Sequence, residues 1–115
     1  VFLKKVPDPE RFGVPAFDPR DKAKIAKIEE KPTKPASDYA VTGLYLYDNK
    51  VFDYIRQCDP DYTGRNQLEI TQVNNFYIEN KALGWEELEG FWSDAGTFES
   101  FFYSNEYWAR KDLGE

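Results

Sequence analysis

The stretch DYAVTGLYLYD, Asp38 to Asp48, constrains the fold more than any other part of the chain. It is almost continuously apolar and lacks the alternation of a half-exposed strand. A strand of that kind sits in the middle of a sheet and is covered on both faces. Gly43 in its centre predicts a close approach of another group to the backbone. Such a strand needs helices above and below it, which points to an α/β or α+β protein with a mixed sheet and flanking helices.

The surrounding segments fit that requirement. Val1–Val6 reads as a short strand ending at Pro7. Phe12–Phe17 and Ala23–Glu29 read as two strands around an Asp18–Asp21 turn, with Pro15 marking an edge or a bulge. A proline-punctuated loop, Lys31–Ser37, leads into the apolar run. A short helix is predicted over about Asn49–Arg56. Asn66 followed by Glu69 has the spacing of a capping box, which predicts a helix carrying Ile70, Val73 and Tyr77 on one face. ALGWEELEGFWSD predicts two short strands. A last helix runs from Thr97 to about Lys111, and its stripe Phe98, Phe101, Phe102 and Trp108 reads as core.

The chain has 115 residues, enough for a single domain or part of one, with a modest core. The net charge of -6, without a Lys/Arg stripe, argues against duplex nucleic acid as a partner. No apolar run reaches the ~20 residues of a membrane span. Cys58 is the single cysteine, so no internal disulfide forms, and a reducing, cytoplasmic setting is expected. There is no histidine, so any metal site must use carboxylates, which favours Mg²⁺. There is also no methionine, and the chain opens directly in a strand-like segment; both suggest a piece of a longer protein.

Four places carry candidate chemistry. Asp94, at a predicted strand end before Ala95-Gly96, either caps a turn or holds a cationic group. Glu30 and Lys31 end a strand. The carboxylate can accept sugar hydroxyl protons and the ammonium can meet a phosphate, or both are simply solvated. Arg65, before a predicted helix start, is an anion-site candidate or a surface loop arginine. Gly13 is a ligand-approach position or a bulge residue.

In order, DPERFGV, EEKP, YAVTGLYLYD, QLEITQVN and GFWSDAGTFES resemble the sugar nucleotidyltransferase family, and within it the glucose-1-phosphate thymidylyltransferases. The similarity covers essentially the whole chain. It implies the sugar-binding C-terminal half of a Rossmann-like nucleotidyltransferase fold, residues 1–115 being one partial domain. The reaction it implies is attack of a sugar 1-phosphate on the α-phosphorus of a nucleoside triphosphate, with Mg²⁺ assisting and pyrophosphate leaving. By the same resemblance, Asp94 matches a metal-binding aspartate and Glu30 a glutamate on the sugar hydroxyls. Lys31 and Arg65 match catalytic cations on the sugar phosphate. Gly13, Val41, Tyr45, Thr71 and Trp92 match sugar-pocket positions.

Such a reaction depends on positioning and charge neutralisation rather than imidazole chemistry. Where the family writes RGELEITD, this chain has Arg65-Asn66-Gln67-Leu68-Glu69-Ile70-Thr71-Gln72, which alters the loop around Arg65. WSDAGT replaces WLDTGT and leaves the aspartate in register. The family's glycine-rich triphosphate loop and its first metal-binding aspartate belong to an N-terminal half that these residues do not include. The expectation is therefore an enzyme fragment, inactive alone, that needs its other half or self-associates. The alternative is a stand-alone sugar-phosphate-binding or interaction module.

Overall fold

The computed structural model describes residues 1–114. Its strands are β1 (Phe2–Lys5), β2 (Gly13–Phe17), β3 (Ile25–Glu30), β4 (Tyr39–Val41) and β5 (Glu86–Glu87). Its helices are α1 (Val51–Gln57), α2 (Ile70–Glu79) and α3 (Phe98–Asp112), and a single 3-10 turn spans Pro9–Arg11. β1 lies between β4, antiparallel to it, and β5, parallel to it. β2 and β3 form a separate antiparallel hairpin. The class is mixed α/β, as the alternation of segments implies. Among the described residues no helix is long and apolar enough to cross a membrane.

The hairpin forms from local signals. Asp18 and Asp21 each accept a hydrogen bond from the backbone N–H two residues on, and these Asx turns reverse the chain. The register opposes Gly13 to Glu30 and Pro15 to Ile28, with a bulge at Ala16/Phe17. Lys31 N–H donates to Phe12 C=O across the hairpin. Paired and unpaired positions alternate along an antiparallel ladder, so Pro15 falls opposite Ile28 at an unpaired position. Its missing N–H costs no ladder bond there, and the Ile28 N–H and C=O point away from β2.

Leu3, Ile25 and Ile28 form the buried core, each less than a tenth exposed. Burial of each such side chain contributes about 1.5–3 kcal/mol. Phe17, Tyr39 and Trp85 close one side of this core with ring centroids 5.3–5.8 Å apart. α2 packs on β3 and buries Val73 and Tyr77 together with four polar side chains: Thr71, Gln72, Asn74 and Asn75.

Several sequence expectations are corrected. Only Tyr39–Val41 of the Asp38–Asp48 run is a strand, and it lies at a sheet edge rather than in the centre. Beyond it Leu44 and Leu46 are exposed, and nothing lies within 4 Å of a Cβ built on Gly43. Asn66 does not cap α2. It adopts a left-handed backbone (φ 51°), and the helix starts at Ile70 after an extended Glu69. The Glu69 side chain is taken instead by Thr63, Arg65 and Gln67.

The segment around Trp85 yields one two-residue strand rather than two. α3 begins as expected at Thr97, whose hydroxyl accepts from the Ser100 N–H in a reciprocal cap. Its stripe is not core: Phe98 is 98% exposed, and Phe101, Phe102 and Trp108 are each more than half exposed.

Candidate functional site

The end of β3 carries Glu30 to the first turn of α2. The Thr71 hydroxyl donates to Glu30 Oε2 at 2.6 Å. Gly13, opposite Glu30 in the hairpin, leaves open the space in front of that bond. A Cβ there would stand 3.4 Å from both Glu30 Oε2 and Thr71 Oγ1. Arg65 reaches the same carboxylate from the loop before α2, with Nη2 3.7 Å from Glu30 Oε1 and 2.5 Å from Glu69 Oε1. Tyr45 borders the group: burial and then the Glu30 charge push its phenol above the ordinary value. Gly13, Glu30, Tyr45, Arg65 and Thr71 therefore converge, although they come from five separate segments: β2, β3, the run after β4, the loop before α2, and α2.

Lys31 follows directly. Its backbone is left-handed (φ 47°), a conformation that costs a non-glycine residue about 1–2 kcal/mol. The Lys31 N–H bond to Phe12 holds it there. The turn ends the strand and leaves the Lys31 side chain exposed. Val41 is placed differently. It pairs with Leu3 and packs against the core.

Trp92 and Asp94 belong to a neighbouring cavity of 450 Å³, lined also by Arg11, Phe12, Phe102 and Tyr103. Trp92 meets Phe12 edge to face at 5.5 Å. Asp94 Oδ2 accepts from Arg11 Nη2 at 2.8 Å and from the Gly96 N–H at 3.1 Å. A Cβ at residue 96 would lie 2.6 Å from that oxygen, so a larger residue there would have to push the Asp94 carboxylate aside. Asp94 is thus both a turn cap and the partner of a cation. The cation is Arg11, which also holds Asp8 at 2.8 Å. The Asp8 partner is local, three residues before Arg11, but the link to Asp94 spans 83 residues and leaves no spacing to read. Phe12 joins the two groups: its ring faces Trp92 and its carbonyl receives Lys31.

A divalent cation finds a suitable donor in kind at Asp94, a hard carboxylate oxygen, but a near-octahedral ion needs more ligands. Among the described residues, no group of three or more His, Cys, Asp or Glu side chains is placed to hold a metal ion.

The nucleotidyl transferase family profile matches residues 1–111, and the chain belongs to that family. Its relatives include the glucose-1-phosphate thymidylyltransferases of Neisseria meningitidis serogroup A (46% identical over 87% of this chain and 34% of that protein) and of Xanthomonas campestris pv. campestris strain B100 (47%, 87% and 33%). A crystal structure of a Bacillus anthracis protein described as a glucose-1-phosphate thymidylyltransferase, in complex with a sucrose, superimposes with a TM-score of 0.80. It is 48% identical and covers 93% of this chain and 42% of that one. The chain spans about a third of the length of the curated relatives it matches.

Proposed function

We propose that these residues form the sugar-phosphate-binding part of a glucose-1-phosphate thymidylyltransferase-like enzyme. The observation that carries this reading is the convergence of Gly13, Arg65 and Thr71 on the partly buried Glu30 carboxylate. Glu30 accepts hydrogen bonds from sugar hydroxyls in the space left by Gly13, and Thr71 fixes the carboxylate's orientation. Tyr45 and Trp92 supply apolar faces of the kind that sugar rings stack on, and Val41 backs the wall from the core side.

Lys31 and Arg65 meet the sugar phosphate. Arg65 lies beside two carboxylates, Glu30 and Glu69. A phosphate offers the same guanidinium a more highly charged partner and bidentate geometry. In the reaction, a phosphate oxygen of the sugar 1-phosphate forms a bond to the α-phosphorus of dTTP while the bond to pyrophosphate breaks. Holding the nucleophile and neutralising its charge are the contributions of these residues. Mg²⁺, when bound, neutralises phosphate charge, and Asp94 is the residue here that would hold it. The setting is proposed to be cytoplasmic, with further segments of the enzyme supplying nucleotide contacts.

Calorimetric titration of the chain with glucose 1-phosphate tests the reading. Binding that is lost in Glu30→Gln supports it. Absence of heat at millimolar ligand rejects it.

A further inference from the structure

Thr71 and Asn75 lie one turn apart on the buried face of α2, and both grip β3. Thr71 holds the Glu30 carboxylate. Asn75 takes the backbone of Ile28 at two points: Oδ1 accepts from the Ile28 N–H at 2.9 Å, and Nδ2 donates to the Ile28 C=O at 2.8 Å. These are the two groups that face away from β2, so the carboxamide stands where the next strand would be. Nδ2 also donates to Tyr62 Oη at 3.2 Å, on the loop that carries Arg65. Asn75 is only 8% exposed.

The spacing makes the two grips a register lock. Four residues of helix rise about 6 Å. Two residues of strand advance about 6.6 Å. Thr71 to Asn75 therefore matches Glu30 to Ile28, with helix and strand running in opposite senses. A helix shifted by one residue rotates about 100° and loses both contacts together.

Only a side chain with an acceptor and a donor side by side can serve both Ile28 groups, and a carboxamide offers this at any ordinary pH, whereas a carboxyl must first bind a proton. Thr71 fixes the oxygen of Glu30 directly, but nothing in that single bond fixes where the helix stands. The Asn75 grip does, and through Tyr62 it ties in the third segment of the cluster.

We infer that Asn75 is a positioning residue for the sugar-phosphate site: it sets the register of α2 on β3, which places Thr71 on Glu30 and seats the Arg65 loop beside them. This rests on the sugar-phosphate reading for its functional consequence, while the register lock itself is independent of any ligand.

The experiment uses the full chain, with glucose 1-phosphate as the probe. In the unmodified protein, the Ile28 amide should exchange with solvent about 100-fold slower than an open-edge amide, and the Thr71 hydroxyl proton should be visible by NMR. Asn75→Asp keeps the side chain's shape but, read at a pH well above the carboxyl range where it is ionised, sets a second acceptor oxygen against the Ile28 carbonyl. Asn75→Ala removes both contacts. In either variant that stays folded by near-ultraviolet circular dichroism, the Thr71 hydroxyl signal should disappear and the Kd for glucose 1-phosphate should rise about tenfold or more.

A variant that loses stability yet keeps the Thr71 signal and an affinity within about twofold would overturn the inference, since Asn75 would then be structural only. So would an Ile28 amide that exchanges freely in the unmodified chain, a result that requires no variant to fold. If the unmodified chain binds no glucose 1-phosphate, the sugar-phosphate reading fails. The Thr71 and Ile28 signals still decide the register lock.

Discussion

Arg11 and Asp94, 83 residues apart in the chain, meet with guanidinium nitrogen and carboxylate oxygen 2.8 Å apart. Arg11 also holds Asp8, so the loop before β2 and the turn before α3 are joined through one side chain beside Trp92. Arg11→Ala should release that turn and let water reach the indole. The expected result is a red shift of tryptophan emission that vanishes when Trp92→Phe is added. An unchanged spectrum would mean that the pair does not organise the cavity.

Base should weaken the fold through Tyr77. Burial, then its hydrogen bond to Asp48, push this phenol up from 10.0 to about 12. The unfolded chain releases the proton first, so the protonated form favours folding. That contribution is complete below pH 10.0 and is lost as pH rises toward about 12. Urea melts across this range should show falling stability, with a shallower fall in Tyr77→Phe. Equal slopes in the two proteins would exclude Tyr77 as the source.

The hairpin and α3 were legible in the sequence because their causes are local: Asx turns at Asp18 and Asp21, and a threonine cap at Thr97. Asn66 and Glu69 carried an equally local signal that failed, because Arg65 and Gln67 draw the Glu69 carboxylate away from any capping role. The Asp38–Asp48 run failed for a different reason. Apolar composition shows that a segment seeks cover but does not name its neighbour, and only residues 39–42 are held by β1, Thr42 through its N–H and hydroxyl to the Phe2 carbonyl.

In the site, the resemblance indicated Gly13, Glu30, Arg65 and Thr71, and these do come together. Arg11 and Asn75 went unnoticed. Arg11 has a local partner in Asp8, but its link to Asp94 and the grip of Asn75 on strand backbone leave no spacing to read.

The exposed face of α3 should drive association. Phe98 and Phe102 are 98% and 68% exposed, next to further exposed aromatics on the same helix. Large apolar patches of this kind mark contact surfaces. A net charge of -6 resists contact only weakly when salt screens it within ~8 Å. Light scattering should report oligomers whose mass falls on Phe98→Ser/Phe102→Ser substitution. A compact monomer at tens of micromolar that binds no hydrophobic dye would show that this face needs no cover.

The chain alone should release no pyrophosphate from dTTP and glucose 1-phosphate with Mg²⁺. Asp94 is a lone donor, and no metal-holding cluster exists among the described residues. A coupled phosphate assay checks this, and steady turnover by the purified chain would contradict it.

The central claim is that Glu30, Lys31 and Arg65 bind a sugar phosphate, and isothermal titration with glucose 1-phosphate addresses it most directly. The unmodified chain should bind weakly, and Lys31→Ala and Arg65→Ala should each weaken binding by about 1.5–3 kcal/mol, the loss of one charge-assisted contact. No binding to the unmodified chain, or full affinity in both variants, would contradict the account.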